Sequence, residues 1–173
     1  MGRPRPHDPD EGARERFDRF AHSGAGLLYI VTVADGGRPY GCLVGFASQT
    51  SINPLRFLVC ISVVNATYRH VQGAPELAVH QVPADRLDLA ELFGGTTADD
   101  GTDKFHRPRW TAGPGGLPLL DDCPTRMIGS VVDRHPLGDH TGFLLRPVQV
   151  EADPARPALR ASDAAHIRPG HPA

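Results

Sequence analysis

Six short runs dominate the chain: "LLYIVTV" (27–33), "YGCLVGF" (40–46), "RFLVCISV" (56–63), "ELAVHQV" (76–82), "RMIGSVV" (126–132) and "TGFLLRPVQVE" (141–151). They are dense in β-branched and aromatic residues, a composition that suits a pleated, half-buried surface. Between the first two stands "ADGGRP", where Asp35, Gly36 and Gly37 supply the positive φ angles of a tight hairpin. That pair is therefore expected to be antiparallel. Many short antiparallel strands with few helices point to a closed or nearly closed barrel rather than a doubly wound sheet.

Three segments read as helices. In "EGARERFDRFAHSG" Phe17 and Phe20 are expected to lay one aromatic edge on the core before Gly24 stops the helix. "NATYRHVQG" has Asn65 as its N-cap candidate, and "ADRLDLAELFGG" has Asp85, with Leu89, Leu92 and Phe93 on one face and Gly94 and Gly95 at the end. From residue 96 to 115 no element is legible, and a loop of that length in a small domain is usually functional or disordered. Phe105 and Trp110 favour a packed, functional loop.

A chain of 173 residues is enough for one domain with a single core. Three prolines and mixed charges in the first ten residues, and an Ala/Pro/Arg-rich stretch without apolar periodicity from Asp153 onward, mark the ends. The expected division is a flexible N-terminus over 1–12, a folded domain over 13–152 and a flexible tail over 153–173.

Charge and motif narrow the function. Lys and Arg total 18 against 20 Asp and Glu, with no basic run, so no nucleic-acid partner is expected. No apolar h-region opens the chain and no run is long enough to span a bilayer, so a cytoplasmic protein without membrane contact is expected. Cys42, Cys60 and Cys123 show no C-x-x-C spacing and read as buried free thiols. The nine histidines lack H-x-x-x-H and H-E-x-x-H spacing. "HPLGDH" could gather His135, Asp139 and His140, but a turn at Gly138 explains it as well, and no metal site is assigned. "GAGLLY" puts Tyr29 where a dinucleotide fingerprint needs its third glycine, and "DDGTD" lacks the later glutamate of a calcium loop.

What survives is a polar patch between two apolar runs. Ser48, Gln49, Thr50 and Ser51, joined by Ser62, Asn65 and Thr67 after the next run, could converge from two segments. With backbone N–H groups near Asn65, such a set can hold a phosphate without a lysine. The competing reading is an irregular crossover whose hydroxyls satisfy their own backbone.

The order "GLLYIVTV", "GCLVGFASQTSINPLRFLVCISVVNATY", "LAELFGG", "DKF", Trp110, "GLPLL" and "GDHTGFLLRPV" resembles the flavin reductase-like, FMN-binding split-barrel family over about residues 16 to 152. The resemblance implies a mainly β, antiparallel split barrel of Greek-key type with a few short helices. It also implies a homodimer that binds FMN, with FAD the lesser choice, and reduces it with NADH or NADPH. Such an NAD(P)H:flavin oxidoreductase supplies reduced flavin to a partner monooxygenase; the alternative is a non-catalytic FMN-binding protein. Carried over by position, the resemblance assigns Val44, Gly45 and Phe46 to the edge of the flavin ring, with backbone amides from 44 to 50, Ala47 included, on its pyrimidine side. It assigns Ser48, Gln49, Thr50 and Ser51 toward ribityl and phosphate, Asn65 and Thr67 to the second phosphate-side segment, and Lys104, Phe105 and Trp110 to a loop near the cofactor. His140 falls on the nicotinamide side as the catalytic candidate. The chain departs from the family pattern at Leu43-Val44-Gly45, where a polar Thr-x-Asn or Thr-x-Ser is common, and at Pro54-Leu55, where a double proline is common.

The chemistry implied needs little machinery. Hydride transfer to flavin is carried by the two cofactors, and the protein orients their rings and stabilises developing negative charge. A nucleic-acid-binding barrel of OB type would need an aromatic and basic strand face, which 6% aromatic residues and a single lysine, Lys104, do not supply.

Overall fold

The computed structural model describes residues 11–23, 26–95 and 103–168. Gly36 and Gly37 take φ of 57° and 76°, so the chain reverses in two residues and β1 (Tyr29–Asp35) pairs antiparallel with β2 (Arg38–Val44), Asp35 opposite Arg38. Then follow β3 (Ala47–Ser51), β4 (Arg56–Ser62) and β5 (Glu76–Gln81), and later β8 (Arg126–Pro136) and β9 (His140–Glu151). These seven form one antiparallel sheet in the order β2-β1-β5-β8-β9-β4-β3.

Period-two alternation explains why that sheet must curl. Val31 and Val33 of β1, Cys42 and Val44 of β2, Val59 and Ile61 of β4, Leu77 and Val79 of β5, and Phe143 and Leu145 of β9 share one buried cluster. Strands from opposite ends of the order meet in it, which a flat sheet forbids. The result is a barrel whose first and last strands, β2 and β3, are consecutive in the chain, joined by Gly45 and Phe46, with the Phe46 carbonyl accepting from Cys60 N–H at 2.9 Å.

A second core lies on the outer face of β1. Ile30 points there, and so do Leu89, Leu92 and Phe93 of α3 (Leu87–Gly95), with Phe105, Leu120 and Cys123. Burial on both faces is why β1 reads as an almost continuous apolar run. His80 of β5 is fully buried between these layers, donating from Nδ1 to Ile30 O (3.1 Å) and accepting at Nε2 from Leu120 N–H (3.2 Å). The α3 face is the one expected, but α3 begins at Leu87 and Asp85 instead faces Arg156 at 3.4 Å.

Four expectations need correction or limits. Phe17 and Phe20 of α1 (Glu11–His22) are 64% and 78% exposed, their rings 6.5 Å apart, so the helix lays no aromatic edge on the core. Gly24 lies outside the described residues. The helix near Asn65 shrinks to one turn, α2 (Tyr68–Val71), and Asn65 Oδ1 instead accepts from Thr67 N–H at 2.9 Å. Within 96–115, residues 96–102 lie outside the described residues, but 103–115 is structured. Asp103 caps a short 3-10 turn (Lys104–His106), and β6 (Trp110–Ala112) pairs with β7 (Pro118–Leu120). Finally, 153–168 is not a loose tail: Leu159 and Ala164 are buried in the outer core, and short bridges join Leu27 to Arg160 and Pro83 to Ala158. Backbone pairing holds this segment, so no apolar period advertises it.

Candidate functional site

A cavity of about 710 Å³ opens where β2 runs out and the chain turns into β3. Its walls come from the end of β2 through Phe46, β4, the end of α3, the C-terminal segment and the β9 entry at Asp139 and His140, with Leu28 and Asn65 between them. Cys60 and Ser62 reach it because they alternate with the inward Val59 and Ile61 of β4. The β4–β9 ladder sets Ser62 opposite His140. Asp139, just before β9, accepts from Val63 N–H through its carbonyl at 3.0 Å, which pins the β9 entry beside β4.

The cavity's polar side is built around that entry. His140 Nδ1 lies 2.8 Å from Asp139 Oδ1. The hydrogen bond and charge of His140 hold the Asp139 carboxyl below its usual range, so the carboxylate is an acceptor and Nδ1 must be the donor. Nε2 is then the ring nitrogen left for a ligand. Phe46 stands edge-on to the same imidazole, centroids 5.2 Å apart. Asn65 also lines the cavity; with Oδ1 given to Thr67 N–H, its amide N–H2 is what it has to offer a ligand.

The opposite character belongs to Leu28, Leu43, Phe93 and Ile167, which give the cavity an apolar side. Burial pushes the Cys42 thiol up to about 11 despite the charge of Lys104, and it raises Cys60. Both line the cavity as thiols, not thiolates, and supply no nucleophile at neutral pH. Among the described residues no group of three or more His, Cys, Asp or Glu could hold a metal ion. His135 faces Asp133 at 3.2 Å rather than His140.

The cavity thus gathers Val44, Gly45, Phe46, Ser62, Asn65 and His140. The other residues singled out in the sequence stand off it. Ala47 pairs with Val59, while Ser48, Gln49, Thr50 and Ser51 extend along edge strand β3, with Ser48 Oγ donating to Gln49 O and Gln49 Nε2 to Ser51 O. Thr67 is buried, its hydroxyl donating to Gly41 O at 2.9 Å. Lys104 Nζ donates to Phe93 O at 3.1 Å, near the C-terminal end of α3, where a cation meets both an orphan carbonyl and the helix dipole. Burial lowers its pKa. Phe105 bridges Phe93 and Trp110 in edge-to-face pairs at 5.4 and 5.8 Å. Lys104 and Phe105 therefore act behind the wall that Phe93 and Gly94 present to the cavity.

Sequence reasoning missed Cys60, Gly94 and the run from Ala161 to Ile167. Alternation along "CIS" could have found Cys60 beside Ser62; nothing in the sequence signals the C-terminal wall.

A family model described as a flavin reductase like domain matches residues 22–164. The chain is 26% identical over 132 residues to the 4-hydroxyphenylacetate 3-monooxygenase reductase component of Salmonella typhimurium, covering 76% of this chain and 78% of the relative. It is 28% identical over 144 residues to the NADH-dependent FMN reductase AsuE2 of Streptomyces nodosus subsp. asukaensis, covering 81% and 77%. Among solved structures, the NADH:FAD oxidoreductase SgcE6 of Streptomyces globisporus C-1027 superposes with a TM-score of 0.76 at 22% identity, covering 89% of this chain and 91% of that one. That likeness establishes a shared barrel, and with the match across most of the chain it leads to one conclusion: this protein belongs to the flavin reductase-like family.

Proposed function

We propose that the protein is an NAD(P)H-dependent flavin reductase that takes FMN in preference to FAD and passes reduced flavin to a partner monooxygenase. The observation that carries this reading is the cavity itself: one apolar side, one polar side built on Asn65 and the Asp139–His140 pair, and no nucleophile or metal cluster among the described residues. Its volume of about 710 Å³ lies in the range of small-molecule and cofactor sites, and its apolar-to-polar layout fits a planar aromatic ring with a polar tail. A flavin held here would supply the redox chemistry, taking a hydride from the nicotinamide, which would leave as NAD(P)+, with the single proton of the neutral reduced flavin drawn from solvent.

The chain's own residues bind and orient. Phe46 and His140 flank the polar side, and with Nδ1 engaged by Asp139, His140 offers its Nε2 to the nicotinamide in a fixed orientation. Asn65 faces the flavin's polar end, and a phosphate beyond Phe46 would draw on edge strand β3, where Ser48 Oγ and Gln49 Nε2 would exchange their bonds to Gln49 O and Ser51 O for it. The relatives named as FMN reductase and as a monooxygenase's reductase component support the flavin and partner assignments. Ile52, Leu55, Val148 and Val150 are exposed apolar residues that support a homodimer. The free thiols, and the absence among the described residues of any helix long and apolar enough to cross a membrane, support a cytoplasmic site of action.

Purified protein tested with NADH and NADPH against FMN and FAD decides the matter; oxidation of neither nicotinamide sinks the reductase reading. A second reading, an FMN-binding protein without turnover, draws on Leu43-Val44-Gly45, which offers no side-chain hydroxyl at the cavity. Flavin binding without nicotinamide oxidation would establish it.

A further inference from the structure

The segment after Leu159 crosses back over the barrel and is clamped there by main-chain bonds. Leu28 N–H donates to Leu159 O (3.0 Å), Leu159 N–H to Val82 O (2.7 Å) and Ala161 N–H to Gly26 O (2.9 Å). Beyond the clamp, Ala164 is buried in the outer core, Ile167 packs against it, and His166 Nε2 lies 2.9 Å from Glu91 of α3. The segment is thus fixed at both ends. Between those ends Ala161, Ser162, Ala164, Ala165 and Ile167 line the same cavity as Phe46, Asn65 and His140. A cavity wall of three alanines and a serine is wide because its side chains are short. Ser162 and Ala165 are also exposed, so added bulk there would enter the cavity or solvent and leave the core alone.

We propose that the 161–167 segment is the specificity wall of the cofactor cavity, with Ala165 and Ser162 setting which ring systems enter. The inference rests on the flavin reading above and adds to it the part of the chain that sizes the site. Short side chains at these positions admit a broad fused aromatic ring, and a large side chain at either one closes the space that ring would occupy.

Three full-length variants test it by FMN fluorescence quenching beside a thermal melt. Ala165→Phe and Ser162→Trp are expected to melt like the wild type and to bind FMN at least roughly tenfold more weakly. Ala155→Phe, which adds an aromatic ring at an exposed position ahead of this segment and off the cavity, is expected to stay within about twofold. In the wild type, FMN is expected to slow tryptic cleavage after Arg160 by about fivefold or more, because a ligand held against this wall favours the closed chain. Binding within about twofold of wild type by a normally melting Ala165→Phe or Ser162→Trp overturns the wall assignment, as does unchanged cleavage after Arg160 at saturating FMN. A wild type that quenches no flavin overturns the flavin reading itself, a different failure from that of the wall.

Discussion

The ring of Phe46 stands edge-on to the imidazole of His140 at 5.2 Å, and the same imidazole holds Asp139 at 2.8 Å. An aromatic edge and a carboxylate together fix one ring in one orientation. If that ring orients the nicotinamide, His140→Ala raises KM for NADH or NADPH and lowers the hydride-transfer rate, while FMN affinity stays within about threefold, or ~0.7 kcal/mol. Steady-state oxidation kinetics read beside a melt of the same variant check this; a lowered melt with parallel losses of both cofactors would mean that His140 only braces the rim.

Thr67 is expected to act on stability more than on phosphate. Its hydroxyl is buried and donates to Gly41 O, so Thr67→Val strands that carbonyl and costs about 1–3 kcal/mol. Urea unfolding should show the loss, and FMN and riboflavin affinities of the folded variant should change together if at all. Selective loss of FMN would return Thr67 to the phosphate.

His80 makes stability fall in acid. Burial, aided by the charge of Arg126, lowers its pKa from 6.5 to about 4, while its bond to Ile30 O works the other way. Between those values the unfolded chain binds a proton that the native chain refuses, since an added Nε2–H would face Leu120 N–H. Stability from this group is full above about pH 6.5 and declines as pH falls toward 4, by about 3 kcal/mol in all. Denaturant titrations across that range, compared with His80→Gln, should show a steeper acid slope in the wild type; equal slopes would sink the assignment.

Gly129 is a packing constraint. A Cβ there would meet Leu145 Cβ at 2.8 Å, an atom that cannot swing away, inside the inner core. Gly129→Ala should therefore cost about 1–3 kcal/mol and lower the melting temperature by several degrees. A calorimetric scan matching wild type would show that β9 can shift freely.

Sequence alone located the six apolar strands because each carries β-branched residues on a buried face, and it located the β1–β2 turn because Gly36 and Gly37 are needed for their positive φ. It did not reveal β3, since "ASQTS" has weak strand propensity and is held as a strand by pairing with β4. At the site, Ser62 and Asn65 were legible as polar residues closing an apolar run, whereas Val44, Gly45, Phe46 and His140 came from the family resemblance alone. Thr67 was named with the polar run and Lys104 through the family resemblance, yet their partners, Gly41 O and Phe93 O, are backbone atoms that no side-chain pattern encodes. The wall from Ala161 to Ile167 was illegible for the same reason: it is held by main-chain bonds to Gly26, Leu28 and Val82.

Gly45 and Phe46 join the two strands that end the sheet. Hydrogen bonds zip every other neighbour in the barrel, but here the seam is stitched by the polypeptide itself. A zipped seam opens only by giving up bonds to water; a stitched one can flex by rotation about a few backbone torsions and cannot come undone. The cavity sits on those stitches, so the place where a large planar ligand must enter is also the place where the wall can yield at least cost in hydrogen bonds.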